Sequence, residues 1–218
     1  MFRRVQYSTR LLTMRPRRYS HLLKGVYGIR ARSILEIGVF DGKHAKQMIE
    51  TAGIFRPRNE IQYWGFDLFD LLTDADLDNE FSKRAPTLEV VNDDLLGTGA
   101  KINLYRGYTR DTVPRFVDEM KGSVRVDFVF IDGGHAVDTI RSDWECIQQL
   151  MDQNTTVIFD DYYGNDVPEV AELGCRAIVE ELDRNEFDVK VLSPEDSFQK
   201  DWGTLGVRMV RVRRRRKF

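Results

Sequence analysis

Short apolar runs alternate with amphipathic stretches through the middle of the chain, a pattern that predicts a parallel α/β sheet. Ser33-Ile34-Leu35-Glu36-Ile37-Gly38 reads as a buried strand, and residues 43–52 as the helix after it. Residues 63–68, 101–108, 126–131 and 156–159 supply further strands, of which 126–131 is the most apolar. Helices are expected over 109–120, 137–151 and 168–182. In the second of these Ile140, Trp144, Ile147 and Met151 recur at helical spacing, which assigns them to a core face rather than to a cofactor. Residues 187–192 and 204–212 have no helix between them and form a closing antiparallel pair. Residues 70–100 are polar with scattered apolar positions, an insertion of one or two short helices. The expected fold is α/β: a doubly wound, mostly parallel, seven-stranded Rossmann-like sheet ending in a C-terminal antiparallel strand pair.

The 218 residues are 42% hydrophobic with only 6 Pro, a composition that supports one domain with a real core and argues against disorder. No apolar run approaches the roughly 18 residues of a membrane helix, so no membrane partner is expected. Cys146 and Cys175 sit in helix-like segments without metal-ligand spacing, which excludes a disulfide scaffold and a zinc finger. Such cysteine usage fits a reducing, cytoplasmic setting. The net charge of −2 hides a segregation. Of the 33 basic residues, nine lie in 1–32 and seven in 207–218, both stretches free of acids, leaving 17 against all 35 acids between them. The chain therefore divides into a basic N-terminal arm (1–32), a main domain (33–212) and a basic tail (213–218). Basic ends of this kind contact phosphate-rich partners such as nucleic acid, pair with the acidic body or with a second copy in a homo-oligomer, or stay solvated. Charge patterning leaves these readings open, as it does the reading of the Arg- and Ser-rich start as an organellar transit peptide.

In a doubly wound sheet, ligands sit beyond the carboxyl ends of the strands. The polar residues there are Glu36 with Gly38 and Gly42, Asp67, Arg106-Gly107-Tyr108, Asp132 to His135, and Asp160-Asp161. The first turn, Glu36-Ile37-Gly38-Val39-Phe40-Asp41-Gly42, is spaced G-x-x-x-G rather than the G-x-G-x-x-G of a nicotinamide site. Two glycines still permit close approach of a ligand and expose helix N-terminal amides to a small anion, while Glu36 suits a cationic or hydroxylated ligand. A plain strand-to-helix turn is the competing reading. Asp67 ends the second strand, where a carboxylate meets ribose hydroxyls in this architecture.

Together these residues resemble the cofactor site of class I S-adenosylmethionine-dependent methyltransferases. The segment Arg106-Gly107-Tyr108-Thr109-Arg110-Asp111-Thr112-Val113-Pro114 resembles the G-x-x-x-x-T-L-P stretch of the macrocin O-methyltransferase-like family (methyltransferase family 24-like). Residues 130–135 and 157–162 are similar to its two acidic strand ends, and Gly174-Cys175-Arg176-Ala177 to its next helix, so that the likeness covers roughly residues 33–180. It implies S-adenosylmethionine held by Glu36, Gly38, Gly42, Asp67, Gly107, Tyr108, Thr109 and Asp132, and a small hydroxylated acceptor of sugar, polyketide or phenol type. It also implies Mg²⁺ on Asp132, Asp160 and Asp161, where a hard cation would lower the acceptor hydroxyl's pKa. His135 stands three residues after Asp132, where the catechol-type enzymes carry a lysine base, so the resemblance makes His135 and Asp132 the catalytic candidates. Stacking near the adenine, or a bond to a backbone carbonyl, are other readings of His135. The chain departs from the family in its short Arg-rich N-terminus and in Gly133-Gly134-His135, where the macrolide enzymes carry another acid and a tyrosine. These departures leave the acceptor open. A second reading is an RNA or protein methyltransferase using the basic termini, although Asp132-Gly133-Gly134-His135 lacks the Asn/Asp-Pro-Pro-aromatic and Pro-Cys signatures of base-methylating enzymes. A third is a non-catalytic, methyltransferase-like binding module.

Overall fold

The computed structural model describes residues 2–79, 84–164 and 168–216. Two helices, α1 (Phe2–Thr13) and α2 (Ser20–Ile29), precede β1 (Ser33–Ile37), α3 (Lys43–Ala52) and β2 (Gln62–Asp67). Then come α4 (Asp74–Asn79), α5 (Leu88–Leu96), β3 (Lys101–Arg106), α6 (Thr109–Met120), β4 (Phe128–Ile131) and α7 (Val137–Ile147). The chain closes with β5 (Thr156–Tyr163), α8 (Arg176–Glu181), β6 (Phe187–Val191), β7 (Asp196–Lys200) and β8 (Gly203–Arg214). Among the described residues the strands form one sheet in the order β3-β2-β1-β4-β5-β8-β6, with β7 on the far part of β8. Strands β1 to β5 are parallel, and β8 runs antiparallel to β5, β6 and β7. This is the expected Rossmann-like fold, with β7 as an eighth strand that the sequence pattern did not announce.

Strands β1 and β4 are buried along their whole length because helices cover both faces, which is why their sequences are nearly unbroken apolar runs. Successive side chains alternate between the two layers. Ile34 packs with Leu22 and Val26 of α2 and Met48 of α3, whereas Leu35 and Ile37 pack with Phe116 of α6 and Ile147 of α7. Each fully buried side chain of this size contributes about 1.5–3 kcal/mol of transfer free energy. The strand order reverses between β1, which continues to β2 and β3, and β4, which continues to β5. That reversal opens a crevice at the carboxyl tips.

Three features depart from the pattern read along the chain. The N-terminal arm is helical, and α2 buries Leu22, Leu23 and Val26 against the sheet. The helix expected over 168–182 is reduced to α8, preceded by a 3₁₀ turn at Pro168–Val170. Between them Gly174 takes a left-handed φ of +80°, its N–H donating to the His135 carbonyl while that of Cys175 donates to the Asp161 carbonyl, so this stretch is tied to the strand tips instead of coiling. Finally, β5 runs on to Tyr163 because β8 pairs alongside it, through a bulge between Phe159 and Tyr162. Parts of the expected insertion (80–83), of the loop after Tyr162 (165–167) and of the basic tail (217–218) lie outside the described residues. Among those described, no helix is long and apolar enough to cross a membrane.

Much of the basic charge at the two ends is folded against the acidic body. Arg10 pairs with Glu50, Arg3 donates to the Gly53 carbonyl, Arg211 pairs with Asp188 at 2.7 Å and Arg208 with Glu195 at 2.6 Å.

Candidate functional site

A cleft of about 420 Å³ lies at the reversal point, within the roughly 300–1,000 Å³ typical of small-molecule sites. Its floor is Gly38 after β1, and its sides are Phe66, Asp67 and Leu68 at the end of β2 and residues 107–110 entering α6. Gly133, Gly134 and the α7 residues Asp138, Thr139 and Ser142 form the opposite wall. Backbone contacts dictate the glycine at 38. Its φ is +89°, and a Cβ there would lie 1.9 Å from the carbonyl oxygen of Asp132. The exit of β1 is thus locked backbone to backbone on both sides, Gly38 N–H donating to Phe66 O of β2 at 2.9 Å and Asp132 N–H, at the end of β4, to Ile37 O at 2.8 Å.

Asp67 is anchored by main chain on both sides. Its Oδ2 accepts the Phe40 N–H at 2.7 Å and its Oδ1 the Phe69 N–H at 3.0 Å. A carboxylate offers about four acceptor positions, so capacity for further donors remains. Gly107, with φ of +141°, donates its N–H to the Asp67 carbonyl at 3.0 Å and brings Tyr108 to the cleft. The Tyr108 hydroxyl donates to Asp76 of α4 at 3.1 Å, so the polar insertion folds back over one side of the opening.

Five of the expected cofactor residues, Gly38, Asp67, Gly107, Tyr108 and Thr109, line this cleft together. Glu36, Gly42 and Asp132 stand outside its lining. Glu36 is 1% exposed and accepts a hydrogen bond from the Tyr63 hydroxyl inside the sheet layer. Burial pushes its carboxyl up to about 8, against the opposing effect of the Tyr63 bond, so it carries its proton at neutral pH. Gly42 opens α3.

The expected metal residues gather at the neighbouring tips of β4 and β5. The bulge gives Asp161 a φ of 56° and sends the two adjacent carboxylates to different partners. Asp160 is bound by the guanidinium of Arg18, Nε to Oδ1 at 2.7 Å and Nη2 to Oδ2 at 2.8 Å. Asp161 lies 3.2 Å from Nε2 of His135. Asp132 accepts from the Tyr19 hydroxyl at 3.4 Å, and the Tyr19 ring stacks on His44 with centroids 4.0 Å apart. Burial, reinforced by the charges of Asp160 and Asp161, pushes Asp132 well above the carboxylate range. Burial and the charge of Asp160 likewise push Asp161 up to about 6, with His135 opposing. With both Asp160 oxygens on a guanidinium and Asp161 turned to an imidazole, the trio does not present the shared set of open oxygens that Mg²⁺ needs. Among the described residues no group of three or more His, Cys, Asp or Glu side chains is arranged to hold a metal ion.

Sequence reasoning missed Arg18, Tyr19, Asp76 and the α7 wall. Asp138 and Ser142 stand four residues apart on a helix read mainly for its apolar face, and that spacing was a usable signal. Nothing local marks Arg18 among the other arginines of the arm.

Comparison with protein families matches the methyltransferase domain over residues 35–162. Among solved structures, the chain is similar to the O-methyltransferase TomG from Streptomyces achromogenes, involved in tomaymycin synthesis and in complex with S-adenosylmethionine. The two are 17% identical with a TM-score of 0.63, the match covering 93% of this chain and 82% of that one. An O-methyltransferase from Bacillus cereus in complex with S-adenosylhomocysteine is 15% identical with a TM-score of 0.58, over 96% and 87% of the two chains. CalS11, a TDP-rhamnose 3'-O-methyltransferase of calicheamicin biosynthesis, is 19% identical with a TM-score of 0.56, over 95% and 93%. No curated protein matches the chain.

Proposed function

The chain belongs to the S-adenosylmethionine-dependent methyltransferase family, whose domain spans residues 35–162, and from that premise we propose that it methylates a hydroxyl group of a small molecule. S-adenosylmethionine, when bound, supplies an electrophilic methyl group on a sulfonium that departs as a neutral thioether. The cleft suits such a ligand. Gly38, Gly107, Gly133 and Gly134 present backbone without side chains in the way, Asp67 accepts from ribose hydroxyls, and Phe66 and Leu68 offer apolar surface.

The observation that carries the reading is the 3.2 Å contact of Asp161 with Nε2 of His135, the residue that follows the Gly133-Gly134 wall in the chain and stands outside the cleft lining itself. Methylating a hydroxyl requires the acceptor oxygen to lose a proton, and the imidazole of His135 takes it. Asp161, on Nε2, orients the ring and stabilises the imidazolium. Asp132, whose carboxyl burial and the neighbouring Asp160 and Asp161 charges push upward, accepts from the Tyr19 hydroxyl and is given no proton-transfer role. No step is assigned to a divalent cation, since Arg18 holds Asp160.

Acceptors of sugar, polyketide or phenol type are favoured over RNA because the paired arginines of the two ends leave less free charge for phosphates. The names of CalS11 and TomG, which specify O-methylation of TDP-rhamnose and O-methylation in tomaymycin synthesis, point the same way. The test is transfer of labelled methyl groups from S-adenosylmethionine to a panel of nucleotide sugars, polyketides and phenols beside total RNA and protein. Label on the oxygen of a small molecule, lost in His135→Ala, is the expected result. Label confined to RNA or protein would reject the proposal.

A further inference from the structure

The carboxylates at the tips of β4 and β5 are met by a cation from within the chain. Arg18 reaches Asp160, 142 positions away, with two parallel N–H···O bonds, and the pair is sealed from water, its side chains 7% and 1% exposed. A fork-to-fork contact of this kind uses both carboxylate oxygens at once. The placement is enforced from a second direction. The backbone N–H groups of Arg17 and Arg18 donate to the two oxygens of Asp196 at the start of β7, at 2.9 and 2.8 Å, so the β7–β8 hairpin clamps the arm onto the cluster. Nη2 of Arg18 also donates to the Tyr19 hydroxyl at 3.1 Å, and that hydroxyl donates to Asp132. One guanidinium thereby connects Asp160 directly and Asp132 through a single hydroxyl. A divalent ion in the same place would have to displace this buried, same-sign charge.

We propose that Arg18 replaces the divalent cation: it is a positioning residue that neutralises the β5 tip from inside, holds the bulge that aims Asp161 at His135, and leaves this chain's methyl transfer independent of metal. The proposal rests on the functional reading above for its site, but its test needs no methyl acceptor, so a failed acceptor screen and a failed metal result are separate outcomes.

The experiment is titration of the full chain with Mn²⁺, followed by electron paramagnetic resonance and by thermal unfolding. The expected result is no stoichiometric Mn²⁺ site at roughly millimolar ion or tighter in the unsubstituted protein, and S-adenosylhomocysteine affinity unchanged by EDTA. Arg18→Ala exposes an unpaired Asp160. In that variant Mn²⁺ binding tightens by about tenfold or more and raises the unfolding temperature, whereas Arg18→Lys, which keeps a cation, behaves as the parent. A stoichiometric Mn²⁺ site in the parent that disappears in Asp160→Asn overturns the proposal. So does a folded Arg18→Ala with unchanged Mn²⁺ affinity. If Arg18→Ala does not fold, the parent and Asp160→Asn titrations decide alone.

Discussion

The tips of β1, β2 and β3 and the tips of β4 and β5 lie side by side at one edge of the sheet, yet they are built on opposite principles. The first is a cleft made of main chain: Gly38 against the backbone of Asp132, and Asp67 held by the N–H groups of Phe40 and Phe69. The second is a set of paired side chains, with Arg18 sealed on Asp160, Tyr19 on Asp132 and the partly exposed His135 beside Asp161. The first leaves space and acceptor capacity for a ligand. The second commits both oxygens of Asp160 to a side chain from the arm. The difference teaches that a shared cofactor cleft can be specified by short stretches of chain, whereas the neighbouring chemistry depends on which distant segment the fold delivers.

Four substitutions break or sharpen that contrast. The largest effect is expected from His135→Ala, which removes the proposed base. Turnover on the acceptor identified by the labelling screen falls by about 10²–10⁴-fold, while S-adenosylhomocysteine affinity by calorimetry stays within about twofold. A parallel loss of affinity would merge the two regions into one.

Next comes Asp160→Asn, which leaves the buried guanidinium short of its countercharge and is expected to cost about 3–5 kcal/mol in urea unfolding. The apolar pair Arg18→Met with Asp160→Leu recovers most of that loss, because both charges leave together. If the single and double variants were equally destabilised, the pair would be ordinary packing.

At the cleft, Asp67→Asn acts on binding rather than on folding. S-adenosylhomocysteine affinity weakens by about tenfold, near 1.4 kcal/mol, with the urea midpoint shifted far less than in Asp160→Asn.

An effect of similar size, read only as a pH slope, concerns Glu36. Its carboxyl lies near 8 in the folded chain against 4.5 when free, so the folded state binds more protons than the unfolded state across that window. Its contribution is fully present below about pH 4.5 and is lost as pH rises through about 8. Between about pH 6 and about pH 7, stability of the parent falls by about 1.4 kcal/mol from this group, and Glu36→Gln removes that slope. An unchanged slope would mean that the Glu36 carboxyl is not raised in the folded chain.

Much of this was legible in residue order. The apolar runs at 33–38 and 126–131 announced buried parallel strands because a strand covered on both faces must be apolar throughout. Asp67, Gly38 and the Gly107-Tyr108-Thr109 turn were readable as cleft residues because each acts through neighbours in its own strand-to-helix unit. Glu36 was not readable in this way, because a carboxylic acid beside a glycine turn looks the same on paper whether it lines the cleft or meets the Tyr63 hydroxyl one strand away. The 168–182 helix failed at Gly174, where bonds to His135 and Asp161 outweighed helical propensity.

What the sequence by itself determined is the α/β sheet, the crevice at its reversal and the backbone-built cleft, since hydrophobic period and turn glycines act over a few residues. Only the tertiary structure decided which of the arm's arginines would meet Asp160, and that Asp196 on β7 would hold it there. The physical reason is range: an ion pair joining positions 18 and 160 leaves no periodic trace in either segment, and exists only after the sheet has brought its β5 tip beneath the arm.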